Sequence, residues 1–489
     1  MKSYKISFFI LIVISILIFL SILFPVNGIK IGNTTLHFPK PEEILVRNKM
    51  DELDPEQILE NQKIKKIDSL KHELSDTLNY FMDAMVHPTR FYLPNDDYSY
   101  FDPFFRAAET ARQNNTIIRV VHYGDSQIEL DRISTNLRSY FQSEFGGSGP
   151  GLLPLFQSIP TSTVYQNFSG TYLTYALYGD GMRNQLKDYG IMAKSFKING
   201  SGTFYASAPG NNKNNSTDKP YSNIRLIYHN AANGFKATLS NRSQQLQWEK
   251  ENDGLGIQMI QWKLDTAIST FSMQINGNAN IYGILVDGPN GVAVDNVPMR
   301  GASGTFFTQM NDSLLKETYK KIDVGMIILQ FGGNSVPGLY SEKSADAYVN
   351  QIVSQIKFFK RNFPDTPILF IGPSDMSTRV RGVMTTYPLL PYLIDKLKVA
   401  IPENGAAFWN MYEVMGGKNS MLAWVKKGWA GSDHVHFSTQ GAHQIGEILV
   451  QSFTTMYDFY HLRQKHPSAS FNEVYSSLKK QHHSTTLSK

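Results

Sequence analysis

The sequence predicts an α/β protein: a parallel, doubly wound sheet interrupted by an inserted antiparallel β-sandwich module. Three observations carry the prediction. Buried-strand runs alternate with amphipathic helices on either side of a central stretch, the pattern of strand–helix–strand units. Within that stretch, residues 152–280, short alternating segments are split by Gly, Asn and Ser clusters, and helical periodicity is almost absent. The 489 residues are 42% hydrophobic and 12% aromatic, enough for a large core, which excludes a disordered protein.

Charge and cysteine usage exclude further classes. A net charge of +5 is small for this length, and no basic run carries the interleaved aromatics that grip a nucleic-acid strand. The chain has no cysteine, which removes disulfides, thiolate metal sites and cysteine nucleophiles and leaves the redox compartment open.

At the N-terminus, Lys2 and Lys5 precede an uncharged apolar run from Ile6 to Phe24. The run is about long enough to span a bilayer, and the lysines favour a cytoplasmic N-terminus. Residues 1–28 therefore read as a transmembrane signal anchor that exports the rest of the chain to the periplasmic face of a membrane. A cleaved signal peptide ending near Val26-Asn27-Gly28 is the competing reading. Residues 29–90 read as a helical stalk, in which Asp54-Pro55-Glu56-Gln57 combines an N-cap, a first-turn proline and a capping-box glutamine.

The first part of the α/β domain covers residues 91–151. An aromatic lead-in (Tyr98, Tyr100, Phe101, Phe104, Phe105) precedes a β-branched run from Thr116 that ends in Gly124-Asp125-Ser126. A helix is expected at once, since Ile128, Ile133, Leu137 and Phe141 recur at helical spacing. A serine there sits at the carboxyl end of a strand, where open α/β sheets bind ligands, and at the start of a helix whose free N–H groups favour negative charge. Gly-Asp-Ser is also a common turn and cap, and Asp125 suits the capping role. The glycine-rich run Gly146–Gly151 lacks the context of a phosphate cradle and reads as a structural loop.

In the insert, segments such as Gly202–Ala208, Ile224–His229 and Ile257–Leu264 read as short strands. Trp248, Trp262 and Tyr228 are candidates to grip sugar rings if exposed, and core residues otherwise. Residues 281–465 resume the α/β pattern. Strands are expected at Ile281–Val286, Val324–Phe331, Ile368–Ile371 and Ala406–Met411, and helices at 345–359, 389–399 and 440–460. Residues 466–489 form a polar tail with weak helical character.

Four signals fall in loops, mostly just past strands: Ser126, Gly301, Asn334 and the pair Asp433 and His436. Acyl transfer by serine needs a base for the hydroxyl proton, a carboxylate to fix the imidazole tautomer, and donors aimed at the oxyanion. Asp433 and His436, three apart in a short loop, can fold back so that carboxylate meets ring nitrogen; His434 is the alternative histidine. His122, on a buried strand, and His443, on the last helix, read as structural.

Gly124-Asp125-Ser126, Gly301, Gly332-Gly333-Asn334 and Asp433-x-x-His436 occur in the order of the four blocks of the SGNH (GDSL-like) hydrolases, which this chain resembles over about 117–151 and 281–453. The resemblance implies a three-layer α/β/α, flavodoxin-like fold with no metal or organic cofactor. It implies Ser126 as nucleophile, His436 as general base and Asp433 as its orienting carboxylate. The N–H groups of Ser126 and Gly301 and the Asn334 amide would form the oxyanion hole, with Gly304 a competitor of Gly301. The block His122-Tyr123-Gly124-Asp125-Ser126 and the placement of the insert look most like the exported peptidoglycan O-acetylesterases, whose insert is carbohydrate-binding-like. Gln127 departs from the leucine of the usual motif, and Ser335 stands where an acid is common.

The expectation is thus an exported serine esterase that removes O-acetyl groups from a cell-envelope glycan, peptidoglycan in the first place and an exopolysaccharide as the alternative, with no nucleic-acid partner. An O-acetyltransferase using the same residues and a non-catalytic glycan-binding protein are the alternatives.

Overall fold

The computed structural model describes residues 3–25, 29–31, 34–36, 55–184, 187–208, 220–232, 234–241, 246–251 and 256–486. The chain divides into two units, 1–78 with 467–489, and 79–466.

In the first unit, Ser3–Leu23 forms one helix of 21 residues, the extent the apolar run requires. The side chains of residues 3–7, 10 and 21 lie outside the described ones. Among the described residues no helix is long and apolar enough to cross a membrane, so the fold does not establish the spanning role expected of this segment. The stalk is a single helix, Pro55–Val86, that runs on into the second unit; its expected cap Asp54 lies outside the described residues. The tail expected to be only weakly helical is an 18-residue helix, Ala469–Thr486.

The second unit is built on a six-stranded sheet. Its strands are β1 (Phe91–Tyr92), β2 (Ile117–Gly124), β3 (Gly291–Pro298), β4 (Val324–Gln330), β5 (Ile368–Ile371) and β6 (Ala407–Trp409). The spatial order is β3-β2-β4-β5-β6-β1, parallel throughout except for the antiparallel edge β1. Because the first parallel strand in the chain, β2, lies between the second and third, the order is flavodoxin-like, and its switch point falls between β2 and β4.

Alternate residues of each strand point to opposite faces and are buried on both, so two apolar layers cover the sheet. Val121, Tyr123, Ile327, Leu329, Phe370 and Phe408 face α3 (Asp312–Ile322), α4 (Glu342–Asn362) and α5 (Leu390–Glu403). Val120, Met326, Ile328, Leu369, Ile371 and Trp409 face α1 (Asp102–Thr110), α2 (Ser134–Phe145) and α6 (Thr439–Lys465). The aromatic lead-in belongs to this second layer: Phe101, Phe104 and Phe105 are buried against it.

Two placements differ from expectation. Ile281–Val286 is a strand, but it is the end of Thr270–Asp287 in the antiparallel region, paired with Tyr221–His229 and Gly151–Leu153. The parallel strand is the next one, β3. Its apolar pattern is broken by Asp295, which is buried because Arg119 of β2 neutralises it. The helix expected directly after Ser126 begins only at Ser134. Ser126–Asp131 is a 3-10 turn interrupted by extended Glu129 and by Leu130 at φ 61°. Ile128 keeps its apolar contact from that turn, which is why its spacing reads as helical.

Among the described residues, the inserted region forms one branched, eight-stranded antiparallel sheet rather than the two separate sheets of a sandwich. The 18-residue strand Thr270–Asp287 makes this possible by changing partners along its length. Its first half lies between Lys194–Ser207 and Lys236–Asn241, and its second half turns to Tyr221–His229. The insert is seated on the parallel sheet by a buried ion cluster. Arg119 bonds Asp287 at 2.8 Å and also pairs with Asp295, and Arg225 reaches Asp287 at 2.8 Å.

Candidate active site

Every motif of the constellation lies at the carboxyl edge of the parallel sheet or in a loop folded over it. Ser126 is reached from the end of β2, and Asp125 caps the turn by accepting from the Gln127 N–H at 2.9 Å. The adjacent loops are tied to it by backbone bonds. Met299 N–H donates to Gly124 O at 2.7 Å, which places the loop after β3, and Asp125 N–H donates to Gln330 O at 3.2 Å, which fixes the end of β4.

Ser126 Oγ lies 2.8 Å from His436 Nε2, although 310 residues separate them in the chain. His436 Nδ1 lies 2.8 Å from Asp433 Oδ2. The other carboxylate oxygen accepts from the Val435 and His436 N–H groups at 3.0 and 3.1 Å, so the loop is wound around Asp433. Partial burial pushes the Asp433 carboxyl up, but the bonds from His436 and the two backbone N–H groups outweigh it and hold the group below the usual carboxylate range. Three polar side chains thus form one continuous chain that ends at the Ser126 hydroxyl.

His434 is not part of it. Its backbone takes φ 56°, its ring Nδ1 is buried with no hydrogen-bond partner among the described residues, and the histidine bonded to Ser126 is His436. His122 and His443 are structural. His122 is fully buried between Gln330 and Ser134, at 3.1 and 2.9 Å, and burial lowers its imidazole to about 4. His443 bonds Asn136 on α2.

The donors expected at an oxyanion site converge on the same edge. Asn334 follows β4, and its Nδ2 donates to Ala302 O at 3.1 Å; the amide carries a second N–H. Gly301 and Gly304 are separated by their surroundings. A Cβ at Gly304 would come within 2.5 Å of the Phe331 ring, so that glycine is fixed by packing. A Cβ at Gly301 would meet nothing within 4 Å, and the turn around it is closed by the Ala302 N–H to Met299 O at 3.0 Å. Gly301 is therefore the glycine with open space before it. Arg300 beside it is anchored to Glu129 at 2.8 and 2.5 Å, a bidentate pair that clamps this loop to the Ser126 turn.

Gln127, read in the sequence only as a departure from the motif, and Arg132 hold the site together. Gln127 donates from Nε2 to Val435 O at 2.8 Å and accepts at Oε1 from the Phe437 N–H at 3.3 Å. Arg132 donates to Ser126 O at 2.7 Å and to Phe437 O at 2.8 Å. Both join the serine turn to the histidine loop. Their partners are main-chain atoms distant in sequence, so no local pattern announces them.

Asp125 is buried beneath the site, and burial lifts its carboxyl to about 6 against the pull of the Gln127 N–H and His436. The sugar-gripping candidates of the insert do not face outward: Trp262 and Tyr228 are buried in its core, where packing of their neighbours claims them. The Trp248 side chain lies outside the described residues. Among the described residues no group of three or more His, Asp or Glu side chains converges as a metal site would.

No family model matches the chain, and no curated protein matches its sequence. Among solved structures, it is similar to one described as a peptidoglycan O-acetylesterase in action. The two share 18% identity and a TM-score of 0.59, over 75% of this chain and 98% of the other. That likeness shows a shared fold over nearly the whole of the other protein. Family two carbohydrate esterases from Clostridium thermocellum and Cellvibrio japonicus also match, at 9% identity each and TM-scores of 0.23 and 0.24. These cover 53% and 60% of this chain and 94% and 99% of theirs.

Proposed function

We propose that this chain, on the fold it shares with a peptidoglycan O-acetylesterase, is an SGNH-type serine esterase that removes O-acetyl groups from a cell-envelope glycan. The observation that carries the reading is the unbroken chain Ser126–His436–Asp433, with 2.8 Å at each step.

In this reading Ser126 Oγ attacks the acetyl carbonyl carbon while its proton passes to His436 Nε2. Asp433, ionised and hydrogen-bonded to Nδ1, fixes the tautomer and stabilises the imidazolium. The carbonyl oxygen, now negative, is held by the Ser126 and Gly301 N–H groups and by the Asn334 amide. The C–O bond to the sugar then breaks, and His436 returns its proton to the departing sugar oxygen. Water, deprotonated by His436, attacks the acetyl-serine by the reverse route and releases acetate and Ser126. All these steps are proton transfers and acyl substitutions, for which the residues named suffice.

The same proposal includes export. Lys2 and Lys5 ahead of the apolar run Ile6–Phe24 support a chain anchored at the periplasmic face of a membrane, where an envelope glycan is within reach. Acetate release from O-acetylated peptidoglycan and exopolysaccharides by the purified protein, with Ser126→Ala as control, tests the esterase reading. Acetyl transfer to an added sugar acceptor in place of water would reassign the chain as a transferase.

A further inference from the structure

A groove of about 600 Å³ opens beside the serine turn, between the parallel sheet's carboxyl edge and the insert. One wall comes from the parallel-sheet side: Glu129 and Arg300, the pair that clamps the Ser126 turn to the Gly301 loop. The other wall comes from the insert and is aromatic. Phe156, 38% exposed, packs against Tyr172 with ring centres 5.7 Å apart, and Tyr178 stacks on Phe306 at 5.9 Å. Of the groove's lining, Glu129 belongs to the turn that begins at Ser126 and Arg300 directly precedes Gly301, so the groove borders both loops.

Lys194 stands out on the insert wall. It is half-buried, its Nζ lies 4.9 Å from the centre of the Tyr178 ring, and among the described residues no carboxylate lies within ion-pair distance of it. The other charges on the groove are accounted for: Glu129 and Arg300 neutralise each other, and Asp180 is exposed to solvent. Burial depresses the Lys194 ammonium, and the depression has no compensating anion. Removing a cation from water without a counter-ion is unfavourable, and a single cation–π contact offsets only part of it. A ligand anion would supply the rest.

We propose that this groove seats the glycan on which the esterase acts, with Phe156 and Tyr172 as a platform for a sugar ring and Lys194 as the receptor for a carboxylate carried by that glycan. The proposal rests on the esterase reading for the identity of the ligand as substrate, and on the groove alone for its charge. The carboxylate could be borne by a sugar ring or by a peptide branch, and the chemistry Lys194 recognises is the same. The preference is for an anionic glycan over a neutral one of equal length.

Isothermal titration tests this with ligands that need no acetyl group. The probes are oligogalacturonate, with carboxylates on the rings; soluble peptidoglycan fragments, with carboxylates on the peptide; and chitohexaose, which is neutral. At least one anionic probe is expected to bind at least tenfold more tightly than chitohexaose, and which one identifies the source. Lys194→Met is expected to abolish that preference, and Lys194→Arg to keep it. If Lys194→Met fails to fold, as read by its thermal melt, Lys194→Gln takes its place. Equal binding of chitohexaose and both anionic probes, or an anionic preference that survives loss of the Lys194 charge, overturns the proposal. Hydrolysis of p-nitrophenyl acetate by the wild-type chain is measured separately. Its absence counts against the esterase reading and leaves the binding result standing.

Discussion

Gln127 grips the backbone on both sides of His436 without touching the imidazole: Val435 O accepts from its Nε2 at 2.8 Å, and the Phe437 N–H donates to its Oε1 at 3.3 Å. The residue after the serine thereby sets where the base sits. Gln127→Ala removes both bonds, and displacement of a base by about 1 Å costs about a hundredfold in rate. We expect kcat for p-nitrophenyl acetate to fall by between about tenfold and a hundredfold with KM little changed. A rise in KM at constant kcat would show that Gln127 serves binding instead.

In the proposed mechanism the Asn334 amide is one of three oxyanion donors. Asn334→Ala is expected to lower kcat by about 100- to 1000-fold. The exposed side chain contributes little packing, so its thermal melt should match the wild type. An activity within a few-fold of wild type assigns Asn334 to the loop and not to the reaction.

Gly301→Ala and Gly304→Ala separate function from packing. Both positions have positive φ, 72° and 75°, so each alanine carries about 1–2 kcal/mol of backbone strain. Only at Gly304 does the new Cβ also meet the Phe331 ring. Gly304→Ala should therefore be the less stable variant by denaturant titration. Equal losses would mean that the Phe331 ring yields.

Asp125 makes stability depend on pH in a sense opposite to an ion-paired carboxylate. Its folded value is raised to about 6, so in the native state it stays protonated where the unfolded chain has already ionised. Its contribution is full below the unfolded value, near 4, and is lost as pH rises through about 6. Asp125→Asn keeps an acceptor for the Gln127 N–H and cannot ionise. Relative to wild type it should gain stability from pH 4 to 6, by up to about 3 kcal/mol, and level off above. Unfolding midpoints at pH 4, 5, 6 and 7 measure this, and a flat difference contradicts it.

The Arg119–Asp287–Asp295 cluster fastens the insert to β2 and β3, and all three groups are buried. Asp295→Ala leaves the Arg119 guanidinium short of a partner, and breaking a buried pair from one side costs about 3–5 kcal/mol. A loss below about 1 kcal/mol in urea titration would show that Asp287 alone suffices.

The parts of this fold legible in the sequence are those written in local apolar pattern. Met326–Leu329 and Ile368–Ile371 are buried on both faces and read as unbroken apolar runs, and α4 and α6 follow their helical stripes. Ser126 and Asn334 stand just past such strands, and Asp433 and His436 just before α6, which is why the sequence marks them as candidates. What stayed hidden depends on partners far away in the chain. Strand β3 contains Asp295, acceptable in a core only because Arg119 meets it. The late start of α2 depends on left-handed Leu130, which no composition signal marks. Gln127 and Arg132 act on main-chain atoms of a loop about 300 residues on, and Lys194 gains its meaning from the groove around it.

The central claim is that Ser126 performs acyl transfer on a glycan ester. Acetate released from O-acetylated peptidoglycan or exopolysaccharide, compared between wild type and Ser126→Ala, measures it most directly. We expect steady release by the wild type and none above background by a Ser126→Ala protein whose thermal melt is unchanged. Equal release by the folded alanine variant, or no release by the wild type from any O-acetylated glycan, would contradict it.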